Sequence, residues 1–160
     1  MQIVEYDKKY TENVKDLLVE LQEFIVCIDD WKLNIMTAQY REEYFQKTME
    51  QCLNENGVMF LAVENDSVQG MICGKIDEDE KYDSCFYKCP KSASVEELIV
   101  SKNARAGGVG SKLLETIERF FKDKGCEYCY IDVFEPNTNA IGFYDKKGYK
   151  TRMRTMGKKL

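Results

Sequence analysis

Residues Asn103–Glu118 read NARAGGVGSKLLETIE, and three of the chain's ten glycines, Gly107, Gly108 and Gly110, fall within four positions of it. Behind them, Leu113, Leu114, Ile117, Phe120 and Phe121 recur at helical spacing on one face. Ahead of them, Ser94–Val100 reads as a strand. The stretch is therefore expected to join a strand to a helix through nearly bare backbone. A helix N-terminus presents unpaired N–H groups and the positive end of its dipole. Glycine lets the chain turn sharply there and lets a phosphate come close. A glycine inside a helix costs about 1 kcal/mol against alanine, so Gly108 and Gly110 call for a reason. The stretch reads as a pyrophosphate cradle.

Outward from it, the apolar periods lay out the rest of the chain. Gln2–Tyr6 reads as a short strand. Thr11–Ile28 carries Val14, Leu17, Leu18, Leu21, Phe24, Ile25 and Ile28 at helical spacing, and Gln39–Asn54 repeats the pattern up to Gly57. Val58–Glu64 and Val68–Ile76, split by Asn65-Asp66-Ser67, predict a hairpin. Beyond the glycine-rich helix, which is expected to end near Gly125, come a strand over Glu127–Phe134, a helix over Asn139–Lys147 and a last strand over Tyr149–Lys158. The order β-α-α-β-β-β-α-β-α-β predicts one mixed α/β (α+β) domain over residues 1–160.

Composition narrows the function. With 160 residues, 44% of them apolar, the chain has material for one core. A net charge of −5 argues against a broad basic surface for nucleic acid. No run approaches the roughly 18 apolar residues of a membrane span, and MQIVEYDKKY lacks an apolar signal core. The chain is expected to be soluble and cytoplasmic. The seven cysteines are odd in number and irregularly spaced, as free thiols in a reducing compartment would be. The one CxxC, Cys126 and Cys129, has no second copy and the chain has no histidine, so no metal site is expected. The missing histidine also removes Ser-His and Cys-His hydrolase mechanisms.

Two phosphate motifs fit poorly. A Walker loop needs G-x-x-x-x-G-K-[ST], and here Gly110-Ser111-Lys112 lacks the order and the first glycine; in G-x-G-x-x-G, Leu113 replaces the third glycine. Arg105-Ala106-Gly107-Gly108-Val109-Gly110 instead resembles the R/Q-x-x-G-x-G/A motif of the GNAT acetyltransferase superfamily. Glu97-Leu98-Ile99-Val100 is similar to the strand that precedes that motif. Asn137 through Tyr149, NTNAIGFYDKKGY, resembles the family's N-x-x-A-x-x-F-Y-x-K-x-G-[FY] signature. Ala106-Gly107 departs from the pattern, since polar or basic residues are common there; phosphate contacts would come from backbone alone.

The resemblance implies a GNAT-like sheet flanked by helices, acetyl-CoA as acyl donor and an amine acceptor. By the same resemblance, Leu98, Ile99 and Val100 would offer backbone groups to the pantetheine arm, and Arg105, Ala106, Gly107, Gly108, Val109, Gly110, Ser111 and Lys112 would surround the pyrophosphate. Asn137 would bond the pantetheine or the outer amides, and Tyr144 would lie near the thioester sulfur. Glu96, two positions before Leu98, is the first choice for a carboxylate base, with Glu97 as the fallback. By simple alternation Glu96 shares a face with Leu98 and Val100, and Glu97 with Val95 and Ile99.

An ammonium of pKa about 10.4 costs roughly 4.6 kcal/mol to deprotonate at pH 7, which is what such a base would offset. The acceptor is read from Cys27–Gln39, CIDDWKLNIMTAQ, where Asp29, Asp30 and Trp31, with the acidic run Asp77-Glu78-Asp79-Glu80, suit a cationic amine. Aminoglycoside, polyamine, small amine and protein amine stay open. The alternatives are a CoA-binding module without catalysis and an unrelated nucleotide-binding α/β domain. A homodimer is expected through the edge of the last strand.

Overall fold

A computed structural model describes residues 1–77, 88 and 90–160. The elements in chain order are β1 (Gln2–Glu5), a 3-10 turn (Lys8–Tyr10), α1 (Thr11–Ile28), α2 (Tyr40–Cys52), β2 (Gly57–Glu64), β3 (Ser67–Ile76), β4 (Ser92–Val100), a second 3-10 turn (Lys102–Ala104), α3 (Val109–Asp123), β5 (Tyr128–Ile131) and α4 (Thr138–Lys146). The five strands form one sheet in sequential order. All neighbours are antiparallel except β4 and β5, which run parallel and are joined by α3. The β2–β3 connection is a tight hairpin turn with Asn65 at φ 49° and Asp66 at φ 60°, the left-handed pair that a two-residue hairpin turn requires.

Each face of the sheet carries its own core. Val14, Leu17 and Leu18 of α1 and Phe45 and Cys52 of α2 pack on Met59, Leu61, Met71, Cys73 and Ile99. On the other face Val109, Leu113, Leu114, Ile117 and Phe121 of α3 pack on Val58, Ala62, Ile72, Ala93 and Val95, with Tyr144 of α4 beside them. Burying a side chain of this kind contributes about 1.5–3 kcal/mol, and α3 buries five of them in 15 residues. The strand behind α3 and the helix itself thus set the glycine-rich loop between two rigid elements.

Two expectations fail here. Residues 149–158 form no strand. Met153 and Met156 are 79% and 89% exposed; being three apart, they would face opposite sides of a strand, so the segment has no apolar face to bury. It runs as an irregular tail instead. Arg152 donates to the Tyr130 hydroxyl at 3.1 Å, Arg154 pairs with Glu135 at 3.3 Å, and the Gly157 backbone lies against the Trp31 ring. The sheet edge on which a dimer was expected is therefore absent. β5 is also shorter than Glu127–Phe134, because its pairing with β4 ends at Val95 and Ile131. Cys126 precedes it, and Cys126 and Cys129 both pack toward the α3 side. Among the described residues Cys27, Cys52, Cys73, Cys126 and Cys129 are free thiols; Cys85 and Cys89 lie outside those residues, as does the run from Glu78 to Glu80. No helix among the described residues is long and apolar enough to cross a membrane.

Candidate active site

The chain leaves β4 at Val100, turns through Lys102–Ala104 and enters α3 at Val109. Ala106 stands at φ 64° and Gly108, the N-cap of α3, at φ 76°. Left-handed residues interleaved with ordinary ones turn successive N–H groups into one concavity, a nest for an anion. The first helical bond runs from the Lys112 N–H to the Gly108 carbonyl at 3.1 Å. The N–H groups of Val109, Gly110 and Ser111 thus have no acceptor within the helix. A Cβ on Gly108 would have nothing within 4 Å, so the space over the helix end is open. Gly110 is close to Val100 and Phe143, where a Cβ would meet them at 3.4 and 3.7 Å. The loop offers backbone N–H groups at this helix end, with no polar side chain on Ala106, Gly107 or Gly108. Arg105 is exposed and turned back. Its Nε–H donates to the Val100 carbonyl at 3.1 Å and its guanidinium pairs with Glu20 of α1 at 3.3 Å. Glu20 also accepts from the Lys102 N–H at 2.9 Å and so ties the loop to α1. Ser111 and Lys112 occupy the first turn of α3.

A Gly108→Val variant tests the cradle. Valine at φ 76° costs roughly 1–2 kcal/mol, which leaves a folded protein, and its branched side chain fills the open space. CoA affinity measured by calorimetry is expected to drop at least tenfold. Unchanged affinity in a folded variant would refute the cradle.

β4 continues to Val100, but only Ser92–Val95 pair with β5. From residue 96 onward the strand has, among the described residues, an edge with no strand partner on the side away from β3. A β-bulge in the β3–β4 ladder falls at the same point. Cys73 pairs with Glu97 and Gly74 with Val95, so Glu96 is the extra residue, left outside the ladder. The bulge breaks the two-residue alternation. Val95, Leu98 and Val100 lie with the α3 core, while Ile99 lies with the α1/α2 core and Glu97 reaches Tyr44 of α2. Glu97 therefore does not share a face with Val95, contrary to simple alternation.

The two carboxylates have different surroundings. Glu96 pairs with Lys75 at 3.0 Å and lines a groove of about 340 Å³ with Lys75, Asp77, Ser94, Tyr130 and Asp132. Within it Asp77 accepts from Ser92 and Ser94, both at 2.8 Å. Glu97 accepts a short hydrogen bond from the Tyr44 hydroxyl. Burial pushes its carboxyl up to about 7, against the opposing pull of that hydrogen bond. Tyr144 is 8% exposed. Its ring meets Phe143 edge-on at 5.1 Å and Tyr149 at 5.6 Å. Burial first, and then the Glu97 charge, raise its phenol well above the usual tyrosine range. Asn137 is the N-cap of α4, its Oδ1 accepting from the Ala140 N–H at 3.2 Å.

The predicted acceptor residues do not converge. Asp29 is 1% exposed, and its carboxylate accepts from the backbone N–H groups of Trp31, Leu33 and Asn34 and from the Asn34 amide, all at 2.8–2.9 Å. It shapes the loop after α1. Asp30 and Trp31 are exposed. The hydrogen bonds to Asn34, then to Trp31 and Leu33, hold the Asp29 carboxyl down to about 2. A depressed carboxyl contributes stability above its unfolded value and loses it as pH falls toward the folded one. Melting curves of wild type and Asp29→Asn are thus expected to differ most near neutrality and to converge between about pH 4 and pH 2; a difference constant through that window would refute it.

Tyr40 and Tyr44 were missed in the sequence. They lie one turn apart on α2, their rings stacked at 4.8 Å and 14°. Two tyrosines at i, i+4 on an otherwise charged helix were the available signal, since a buried phenol looks for a partner.

The nest, the open β4 edge and the tyrosine on α4 lie within the reach of one family description. A model of the acetyltransferase (GNAT) family matches residues 25–149. The chain belongs to the GNAT acetyltransferase family. Solved structures share the fold. A mutant of the BH1408 protein from Bacillus halodurans superposes with a TM-score of 0.86 at 20% identity, covering 100% of this chain and 99% of that one. A putative acetyl transferase from Pyrococcus furiosus does so at 0.75 and 25%, covering 99% of each. The aminoglycoside N-acetyltransferase AAC(6')-Iy in complex with CoA does so at 0.71 and 16%, covering 99% and 98%. The glycine-rich loop, β4 and Tyr144 of this GNAT member all fall inside the matched residues.

Proposed function

We propose that this GNAT acetyltransferase moves the acetyl group of acetyl-CoA to a primary amine by direct attack in a ternary complex. The observation that carries the reading is the open edge of β4. It starts at the nest of α3 and passes Val100 and Leu98, and it reaches the bulge, where the Glu97 charge on one face of the sheet is felt by the Tyr144 phenol on the other. The nest would hold the pyrophosphate, and the backbone of Leu98, Ile99 and Val100 on the β4 edge away from β3 would bind the pantetheine amides as an added strand, with the Arg105 side chain giving up the Val100 carbonyl where needed. The Asn137 amide would bond the same arm.

The residues divide the chemistry. Glu97, with a carboxyl near 7, matches a general base working at neutral pH; it takes the proton from the amine, through one water, as nitrogen attacks the thioester carbonyl carbon. The Glu96 backbone N–H, outside the ladder, is a donor for the oxyanion that develops. When the C–S bond breaks, sulfur leaves as thiolate. The Tyr144 hydroxyl donates to it. Full proton transfer is uphill by about 2 kcal/mol at reference pKa values of 10 and 8.5, and the raised phenol makes it steeper, so the hydrogen bond stabilises the leaving sulfur and protonation comes late. Asp77, Glu96 and Asp132 give the neighbouring groove a negative character suited to a cationic acceptor, a small molecule or a peptide amine. The CoA complex of the aminoglycoside acetyltransferase supports both the donor and a small amine.

The test is a panel of aminoglycosides, polyamines, small amines and lysine peptides with acetyl-CoA, read by thiol release and by mass spectrometry of the product. An acetylated amine is the expected result. CoA binding with no thiol release on any member would favour a binding module instead.

A further inference from the structure

We infer that Tyr44 is a positioning residue for the proton-accepting carboxylate: its hydroxyl, held in place on α2 by the Tyr40 stack, clamps Glu97 at the open edge of β4. The role rests on the reading of Glu97 as the base.

The clamp is built from three levels of structure. On α2, Tyr40 and Tyr44 are one turn apart and stack nearly parallel, at 4.8 Å and 14°, which restricts the ring of Tyr44. The Thr48 hydroxyl donates to the Tyr44 carbonyl at 2.9 Å, and Phe45 beside it is buried in the α1/α2 core. The helix is thus a fixed mount. On the sheet, the bulge at Glu96 shifts the parity of β4 and places Glu97 opposite Cys73 on the face covered by α1 and α2. Were Glu96 paired in the ladder instead of bulged, Glu97 would lie with Val95 against α3. The two elements meet in a hydrogen bond from the Tyr44 hydroxyl to the Glu97 carboxylate, between residues 53 apart in sequence.

The neighbours of Glu97 explain why the contact matters for more than packing. Tyr40 and Tyr44 reach it from α2, Glu96 from its own strand, Cys73 from β3 and Tyr144 from α4. Burial and the Glu96 charge favour the neutral carboxyl; the Tyr44 hydrogen bond favours the carboxylate. Lys75, on β3, is paired with Glu96. A base must be ionised to accept a proton, so the Tyr44 hydroxyl both aims Glu97 and keeps its charged form accessible near neutrality. A bond that needs a donor will not survive replacement by phenylalanine, although the ring, the stack and the helix will.

The experiment is a pH titration of the Glu97 carboxyl carbon by NMR in wild type and Tyr44→Phe, alongside the pH profile of kcat and KM for the amine found by the panel. In Tyr44→Phe the carboxyl midpoint is expected to rise by about one unit, the size of one hydrogen bond to a charged group. The acid limb of kcat should move with it, activity should recover at high pH, and KM for acetyl-CoA should hold. 3-Fluorotyrosine at position 44, a more acidic and stronger donor, should move both midpoints down, and serves if the phenylalanine variant folds poorly. Midpoint and acid limb unmoved in both variants would overturn the clamp. A shifted carboxyl midpoint with an acid limb of kcat that stays in place would leave the clamp standing and overturn the reading of Glu97 as base, and with it the positioning role.

Discussion

Tyr144→Phe is expected to lower turnover by roughly 10²–10⁴, the range for one positioned acid, while acetyl-CoA affinity stays within a factor of about two. The substitution removes one oxygen. The ring keeps its edge-on contacts with Phe143 and Tyr149, and α4 keeps its Asn137 cap. The effect falls on kcat because the hydrogen bond strengthens only as charge builds on sulfur. A phenol raised by burial is a poor acid yet remains a donor, so the loss appears at every pH below the tyrosine range. Single-turnover kinetics with saturating acetyl-CoA checks it; full activity would make Tyr144 a packing residue.

Glu97→Gln is expected to cost a comparable factor at pH 7, with a different signature. Glutamine still accepts from Tyr44 and keeps the side chain's shape, but takes up no proton. The acceptor must then arrive as free amine. For an amine of pKa about 10.4 that fraction rises tenfold per pH unit, so raising pH should rescue the variant and not Tyr144→Phe. Stability moves the opposite way. A carboxyl raised from 4.5 to about 7 in the folded state binds its proton more tightly when folded, so it costs stability as pH rises from about 4.5 to 7 and costs the full amount, on the order of 3 kcal/mol, above that. Glu97→Gln should therefore melt higher than wild type at pH 8 and alike at pH 4.5. Glu96→Gln, which breaks an ion pair with Lys75, should show neither rescue nor the stability gain; equal behaviour of the two variants would return the base to Glu96.

Much of this was legible in the sequence because it is local. The bounds of α1 follow from seven apolar residues at helical spacing, and the sharp turn into α3 follows from glycines placed between a strand and a helix. Gly108 sits at a positive φ that side chains avoid, which is a backbone requirement written directly in residue type. The misreadings come from non-local facts. One inserted residue at Glu96 reverses the facing of everything before it relative to Cys73, and nothing in SVEELIV marks a bulge. Asp29 looked like an acceptor ligand because a loop carboxylate and a buried turn anchor have the same letter; four converging donors decide between them. The tail after Tyr149 intersperses Thr and Met with five cationic residues and has no apolar face. Tyr44 could be placed on a helix, while its partner 53 residues away could not be known before the sheet was seen.

The nest at the start of α3 and the open edge of β4 are proposed to bind acetyl-CoA. Thermal melting with acetyl-CoA, ATP and NAD tests it most directly, since a ligand bound only by the folded state stabilises it by mass action. A ligand present at about 100 times its Kd adds roughly 2.7 kcal/mol, which should shift Tm by several degrees for a chain of this size. Acetyl-CoA should raise Tm by that much, ATP and NAD should not, and Gly108→Val should lose the shift. A melting curve unmoved by acetyl-CoA, or moved equally by ATP, would contradict the account.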